Sequence, residues 1–436
     1  MRYKEKLIEK LENKTATIGV LGLGYVGLPL AVEKAKAGYK VIGFDVQEEK
    51  IQKINNGENY IGDVLPEDLE GLVNSEKLTA TADFSIITEV DALAICVPTP
   101  LDIYKQPNMD YVKTSAESVA KYMKEGTLVV LESTTYPGTT EEIIKSTIEN
   151  KGFQVGETAF VAYSPERVDP GNKEFKTKNT PKVVGGVTKS CTKVAATLYK
   201  NVLEGDIHEV SSPSVAEMEK ILENTFRNIN IALANEMAIL CDKMGIDVWE
   251  VIDAAATKPY GFMPFYPGPG LGGHCIPIDP WYLTYKAREY NYHTKLIETA
   301  GEINDSMPQF IVDRVIQLLN KVKLSLNGSK ILIFGVAYKK NIDDYRESPT
   351  LPIIRLMKNM GANCKFVDSY VPEFELDNII YETSEVSDIL ISEADIVVIL
   401  TNHSDINYNS ILENAKLVLD TRNSVQNIDQ ENYYKL

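Results

Sequence analysis

Apolar residues along this chain change their spacing twice. Short β-branched runs alternate with helical stretches at Thr17 to Leu21, Lys40 to Asp45, Ala92 to Val97, Thr127 to Glu132, Ala159 to Tyr163 and Lys182 to Val187. Alternation of this kind predicts βαβ units and a mainly parallel sheet. Then Ser212 can cap and Pro213 can fill the first turn of a helix that meets no Gly or Pro until Gly245. Such a helix is roughly thirty residues, about 45 Å, long. Met218, Ile221, Leu222, Phe226, Ile229 and Leu233 fall at helical spacing, while Asn224, Asn228, Asn230 and Asn235 break up the remaining faces. A helix this long reads as a spine between domains or subunits, and its apolar stripe suggests at least a dimer.

A Gly/Pro-dense loop follows, from Pro264 to Pro280, and then more helical sequence. Strands resume at Lys330 to Phe334, Cys364 to Asp368, Ile396 to Leu400 and Lys416 to Asp420, with a helix opening at Ser348 and Pro349. The expected fold is therefore α/β, with two sheets flanking a helical middle. No repeat at the roughly 20 to 50 residue period of solenoids and propellers is visible.

Length and composition narrow this picture. The 436 residues suggest two to four domains, and 44% hydrophobic with 25% charged residues is a soluble globular profile. A net charge of -17 argues against a general nucleic-acid binder, so an anionic ligand needs a local cationic site. Five cysteines without a CxxC and only four histidines support neither a disulfide framework nor a metal site. Reduced thiols in a cytoplasmic protein are the expectation. Met1 to Thr15 reads as a short polar helix without the apolar stretch of a signal peptide, and runs such as Ala394 to Leu400 are too short for a bilayer. No membrane span is expected.

Gly22, Gly24 and Gly27 form G-x-G-x-x-G directly after the first predicted strand and at the start of a helical run. The first glycine permits a tight turn, the second lets backbone approach a pyrophosphate, and the third lets helix pack on strand. The second strand ends in Asp45, where a carboxylate can accept from both ribose hydroxyls and repel a 2′-phosphate, which favours NAD over NADP. A glycine-rich structural turn is the alternative.

Cys275 stands in Pro-Gly-Pro-Gly-Leu-Gly-Gly-His-Cys-Ile-Pro-Ile-Asp-Pro, from Pro267 to Pro280, whereas Cys96, Cys191, Cys241 and Cys364 lie in apolar strands or helices. A thiol on a rigid loop near the Asp279 carboxylate fits a nucleophile, with a buried structural thiol as the alternative. His274 is adjacent, but neighbouring side chains diverge, which favours a local structural role. Lys220 and Asn224, four apart on the long helix, share a face that is either directed into a cleft or merely solvated. Glu166, Arg167 and Thr134 follow strands of the first sheet, where doubly wound folds bind ligands. In the last region Gly335 to Lys340 lacks the triple glycine, and Lys339, Lys340 and Arg346 supply charge for a diphosphate or form a solvated basic turn.

Taken together, the chain closely resembles the UDP-glucose/GDP-mannose dehydrogenase family along essentially its whole length. The likeness rests on Gly-Leu-Gly-Tyr-Val-Gly-Leu-Pro at 22 to 29, Cys-Val-Pro-Thr-Pro at 96 to 100 and Glu-Ser-Thr at 132 to 134. It continues through Glu219 to Asn224, Gly272 to Cys275 and Arg346-Glu347-Ser348. The resemblance implies an NAD-binding domain over residues 1 to 205, a central helical dimerisation domain over 206 to 309 and a UDP-sugar-binding domain over 310 to 436. It implies conversion of the C6 alcohol of a nucleotide sugar to a carboxylate with two NAD and one water. Cys275 would carry the thiohemiacetal and then the thioester, Lys220 would stabilise the oxyanion and Asn224 would hold the sugar. Asp279 and Thr134 would manage protons with an ordered water, and Glu166 would assist hydrolysis. The cofactor would lie on Gly22, Gly24, Tyr25, Val26, Gly27, Asp45, Pro98, Thr99 and Thr134. The substrate would meet Glu166, Arg167, Lys220, Asn224, Lys339 and Arg346, with Arg227 either choosing the sugar or forming a salt bridge.

The Gly-Gly-His-Cys loop and the stretch from Lys258 to Trp281 look most like the UDP-N-acetylhexosamine branch. UDP-N-acetylglucosamine ranks first, UDP-N-acetylmannosamine second and UDP-glucose third. A two-electron hydroxyacid-type dehydrogenase would need neither Cys275 nor residues 310 to 436. A silent NAD-binding regulator would tolerate loss of Lys220, Asn224 or Cys275, and all three are present.

Overall fold

The computed structural model describes residues 2–169, 172, 174–273, 275–426 and 430–436. It divides into two compact units, Met1–Glu223 with Trp281–Tyr292, and Asn224–Pro280 with His293–Leu436.

The first unit holds an eight-stranded sheet made of β1 (Thr17–Leu21), β2 (Lys40–Phe44), β3 (Leu78–Thr81), β4 (Ala92–Ile95), β5 (Leu128–Leu131), β6 (Phe160–Tyr163), β7 (Lys182–Gly186) and β8 (Ile207–Val210). Their order is β3-β2-β1-β4-β5-β6-β7-β8, parallel throughout except between β6 and β7. The central strands β4, β5 and β6 are buried at every position, as a sheet covered by helices on both faces requires. The edge strands β3, which alternates apolar and polar residues, and β8, with His208 and Glu209 at its centre, are absent from the sequence expectation. Order reverses between β1 and β4, the place where a doubly wound sheet opens a ligand crevice at its carboxyl ends.

The second unit contains β9 (Lys330–Phe334), β10 (Asn363–Val367), β11 (Glu373–Leu376), β12 (Ile379–Glu382), β13 (Ile396–Ile399), β14 (Val418–Asp420) and β15 (Tyr433–Lys435). Five of them form a parallel sheet in the order β10-β9-β13-β14-β15, and β11 with β12 forms a separate hairpin.

One uninterrupted 32-residue helix, Pro213–Met244, is the spine. Its burial differs from the apolar reading: Met218, Leu222, Phe226 and Leu233 are exposed, whereas Ile221 is buried together with Asn224, Asn228 and Asn235. These three asparagines do not interrupt an outer face but occupy the inner one, whereas Asn230 is half-buried and donates to the Phe226 carbonyl at 2.7 Å. Among the described residues no helix is long and apolar enough to cross a membrane.

Candidate active site

In the first unit the expected ligand residues collect at the carboxyl ends of neighbouring strands. Gly22 adopts φ +90° after β1, its N–H donates to the Phe44 carbonyl at 2.7 Å, and a Cβ there would lie 2.5 Å from the Cys96 carbonyl oxygen. A Cβ on Gly27 would collide with the Gly22 carbonyl, while at Gly24 nothing stands within 4 Å. Two of the three glycines are thus demanded by the protein itself, and the third keeps open space where a pyrophosphate would approach. Asp45 accepts from the Leu23 amide at 2.8 Å and the Gln47 amide at 2.9 Å, which ties the end of β2 to the glycine turn. Of about four lone-pair positions on a carboxylate, two remain for ribose hydroxyls. Tyr25 and Pro98 are exposed, and Val26 is half-buried. Beyond β4 and β5, the Thr99 hydroxyl donates to the Thr134 carbonyl at 2.8 Å, so these two expected residues are neighbours. Tyr282 donates to the Thr99 carbonyl.

Beyond β6, Glu166 accepts from the Arg167 and Val168 amides, each at 2.9 Å, and lies 3.6 Å from the Lys182 ammonium. Burial pushes its carboxyl up, but Lys182, the two amides and Lys220 outweigh that and hold it below the usual carboxylate value. Lys182 also reaches Glu132 at 2.7 Å, and Tyr199 donates to the same carboxylate. Lys34, fully buried, stands 3.7 Å from Glu132, and burial lowers its pKa. Arg167 turns to Glu223, to Glu219 at 3.5 Å and to the Pro181 carbonyl at 3.0 Å, so its guanidinium is engaged by the spine helix. Lys220 is only 7% exposed and Asn224 5%, which removes the solvated-face alternative for that pair.

Sequence reasoning passed over Glu217. It is fully buried and accepts from the Gly138 amide at 2.6 Å, the Thr140 amide at 2.8 Å and the Thr140 hydroxyl at 2.6 Å. Burial lifts its pKa to about 7. It anchors the turn after β5, which carries Thr134, to the helix that carries Lys220. Lys182 was missed likewise. The only hint of either in the sequence is a charge beside an apolar run.

In the second unit Cys275 is exposed, in contrast to the buried Cys96, Cys191 and Cys241 and the half-buried Cys364. Its carbonyl accepts from the amides of Ile278 at 3.1 Å and Asp279 at 2.8 Å, which starts the helix Asp279–Ala287. Asp279, buried, accepts from the Asn224 amide at 2.5 Å. A Cβ on Gly272 would lie 2.5 Å from the Tyr338 Cβ, and one on Gly273, with φ +83°, would lie 3.0 Å from the Tyr338 ring. The glycines are therefore the condition for laying the cysteine loop against the β9 turn, beside Lys339. Lys339 is half-buried; Arg346 is exposed and forks onto Asp344 at 2.9 and 2.8 Å. Arg227 is exposed, and His274 lies outside the described residues.

Comparison with known proteins settles the family. The chain matches the NAD binding domain of the UDP-glucose/GDP-mannose dehydrogenase family over residues 16–203, its central domain over 214–306 and its UDP binding domain over 332–427. The chain belongs to the UDP-glucose/GDP-mannose dehydrogenase family.

A UDP-N-acetyl-D-glucosamine 6-dehydrogenase of Pseudomonas aeruginosa is 37% identical over 82% of this chain and 84% of its own length. A UDP-N-acetyl-D-mannosamine dehydrogenase of Methanococcus maripaludis is 38% identical over 94% of this chain and 93% of its own. The solved structure of a UDP-D-ManNAc dehydrogenase from Pyrococcus horikoshii superposes with a TM-score of 0.88 at 34% identity, covering 96% of this chain and 98% of that one. This family member is an NAD-dependent nucleotide-sugar dehydrogenase with a UDP-sugar as substrate. The glycine turn and Asp45 lie in its NAD binding domain, and Lys339 and Arg346 in its UDP binding domain.

Proposed function

We propose that the enzyme oxidises the C6 alcohol of a UDP-N-acetylhexosamine to the carboxylate, with the sulfur of Cys275 carrying the intermediate. NAD bound at the glycine turn supplies the hydride acceptor for both oxidations. Between them, the Cys275 thiolate adds to the aldehyde carbon and gives a thiohemiacetal, whose oxidation leaves a thioester. Water then adds to the thioester carbon, the C–S bond breaks, and the carboxylate and thiol are released. Lys220 stabilises the oxyanion at C6 and Asn224 holds the sugar near it. Asp279 and Thr134 manage protons through water, and Glu166, kept ionised by Lys182 and Lys220, assists hydrolysis. Arg167, Arg227, Lys339 and Arg346 complete the substrate side. The observation that carries this reading is the exposure of Cys275, alone among the five cysteines, at the head of the helix that begins with Asp279.

The relatives' names agree on the acetamido group and differ in its configuration at C2. UDP-N-acetylglucosamine remains the first choice, on the cysteine loop, with UDP-N-acetylmannosamine second. We further propose domains at 1 to 205, 206 to 309 and 310 to 436, a cytoplasmic location consistent with reduced thiols, and a homodimer in which a second copy covers the exposed Met218, Leu222, Phe226 and Leu233.

The test offers the purified enzyme NAD with UDP-N-acetylglucosamine, UDP-N-acetylmannosamine and UDP-glucose, and counts NADH per sugar consumed. Two is expected; one removes the four-electron reading. Cys275→Ser is expected to keep NAD binding and lose acid formation, and unchanged turnover would sink the thioester.

A further inference from the structure

We infer that Asn228 and Asn235 are positioning residues for Cys275, acting through the glycine-rich loop that they hold from its two ends. The inference rests on the thioester reading above and deepens it. At about 100° per residue, positions 224, 228 and 235 fall within about 40° of one another on the spine helix. All three are buried, Asn228 at 2% and Asn235 at 0% exposure, and buried amides are costly unless hydrogen-bonded.

Each spends its side chain on the same segment, in reverse chain order. The Asn235 Oδ1 accepts from the Gly268 amide at 3.0 Å, and the Asn228 Nδ2 donates to the Ile276 carbonyl at 3.0 Å. Asn224 closes the series on Asp279 at 2.5 Å. The loop thus runs antiparallel along the helix from one asparagine to the next. Asn304 braces the two upper rungs: the Asn235 Nδ2 donates to its Oδ1 at 2.9 Å, and its own Nδ2 donates to the Asn228 carbonyl at 3.1 Å. Both atoms of the Asn235 amide are therefore used, which fixes its orientation.

The loop needs such fixing. Gly268, Gly270, Gly272 and Gly273 give it backbone freedom, and among the described residues between Pro267 and Ile278 none belongs to a strand or helix of its own. Cys275 precedes the carbonyl that Asn228 holds, and its own carbonyl is already fixed by Ile278 and Asp279. Among the described residues Asn228 Oδ1 is buried without a hydrogen-bond partner, so the bond this amide makes is the one from its nitrogen. The first oxidation needs no sulfur, but capture of the aldehyde does, and a displacement of about 1 Å can cost about a hundredfold in such a step. A loosened ladder therefore lets the aldehyde escape before it is captured.

The experiment compares Asn228→Leu, Asn235→Leu, Asn304→Ala and Cys275→Ser with the parent, at saturating NAD and UDP-sugar, in the presence of hydroxylamine to trap aldehyde as oxime. Expected for both Leu variants are a fall in NADH per sugar from two toward one, matching oxime, acid formation slowed about ten- to a hundredfold, and KM for NAD within about twofold of the parent. Alkylation of Cys275 by iodoacetamide changes rate in the same variants. Asn304→Ala keeps both helix amides and removes only their brace; it shows the same shift in smaller measure and decides the matter if a Leu variant fails to fold. Should Cys275→Ser stop short of acid while the asparagine variants keep two NADH per sugar and the parent's alkylation rate, the positioning role is overturned alone. Should Cys275→Ser itself still yield two NADH per sugar, the thioester reading falls first.

Discussion

At the end of the second strand of each α/β sheet stands an aspartate that reaches back to the turn after the first. Asp45 takes the Leu23 amide, and Asp368 takes the amides of Val336 and Ala337 at 2.7 and 3.0 Å. The turns themselves match. Gly22 and Gly335 have φ of +90° and +91°, their N–H groups donate to the Phe44 and Val367 carbonyls at 2.7 and 2.9 Å, and a Cβ on either would strike the end of the strand beyond, at Cys96 or Thr401. From there the two diverge. Asp45 accepts one further amide, from Gln47, whereas Asp368 accepts those of Tyr370 and Val371 as well as the His403 ring at 3.0 Å. His403 Nδ1 accepts from the Asn341 amide, so the proton on its Nε2 points at Asp368. The first sheet leaves carboxylate capacity for a ligand, and the second consumes it within the fold. One backbone plan thus yields a dinucleotide turn where glycines continue through Gly24 to Gly27, and a turn carrying Tyr338 and Lys339 where Ala337 and Lys340 stand at the places of those two glycines.

The largest effect that could break this comparison is on stability. Asp368→Ala strands four amide donors and an imidazole in the interior, and a loss of about 4 kcal/mol is expected, read from denaturant midpoints. A loss below about 1 kcal/mol would mean that Asp368 holds little together. Burial pushes the Asp368 carboxyl up, but His403 and the amides outweigh it and leave the folded value below the ordinary one. Its contribution is therefore complete above the unfolded value of about 3.9 and is lost as pH falls through the lower folded value, so the variant's acid limb below about pH 4 should be flatter.

Why this distinction escaped the sequence is instructive. Both aspartates follow apolar runs, and runs such as Ile18 to Leu21 and Ile396 to Ile399 announce their strands because they are buried at every position. Leu78–Thr81 and Ile207–Val210 lie at the two sheet edges, are half polar and give no such run. The spine helix was legible in length, from Pro213 to Gly245, but its inner face was not. Amides look like solvent-facing spacers until the hydrogen-bonding loop is in place, and Asn235 meets Gly268 33 positions away. Glu217 and Lys182 escaped for the same reason, since their partners lie 77 and 50 positions off. The glycine turn from Gly22 to Gly27 was legible because its pattern is local in sequence, and so was the loop that leaves Cys275 exposed.

A middle-sized effect sharpens the comparison from the other side. Asp45→Asn preserves shape and one acceptor oxygen, so the glycine turn stays tied, but the charge proposed to face the ribose is gone. A loss of about 2 kcal/mol, roughly thirtyfold in KM for NAD, is expected, with a narrower preference over NADP and unchanged UDP affinity. Equal kinetics with parent and variant would show that Asp45, like Asp368, serves only its own turn.

The smallest effect is the most discriminating. Gly27 and Gly22 cannot take a Cβ without striking backbone, so their substitution tests folding rather than binding. Gly24 has nothing within 4 Å of where a Cβ would stand and no positive φ, so the protein alone gives no reason for glycine there. Gly24→Ala should leave thermal stability within about 0.5 kcal/mol of the parent, as surface substitutions do. The added methyl then intrudes only on a pyrophosphate, and KM for NAD should rise about tenfold, equivalent to about 1.4 kcal/mol. A variant with lowered stability and an unchanged KM would make Gly24 a third structural glycine, and the first turn would then differ from the second in sequence alone.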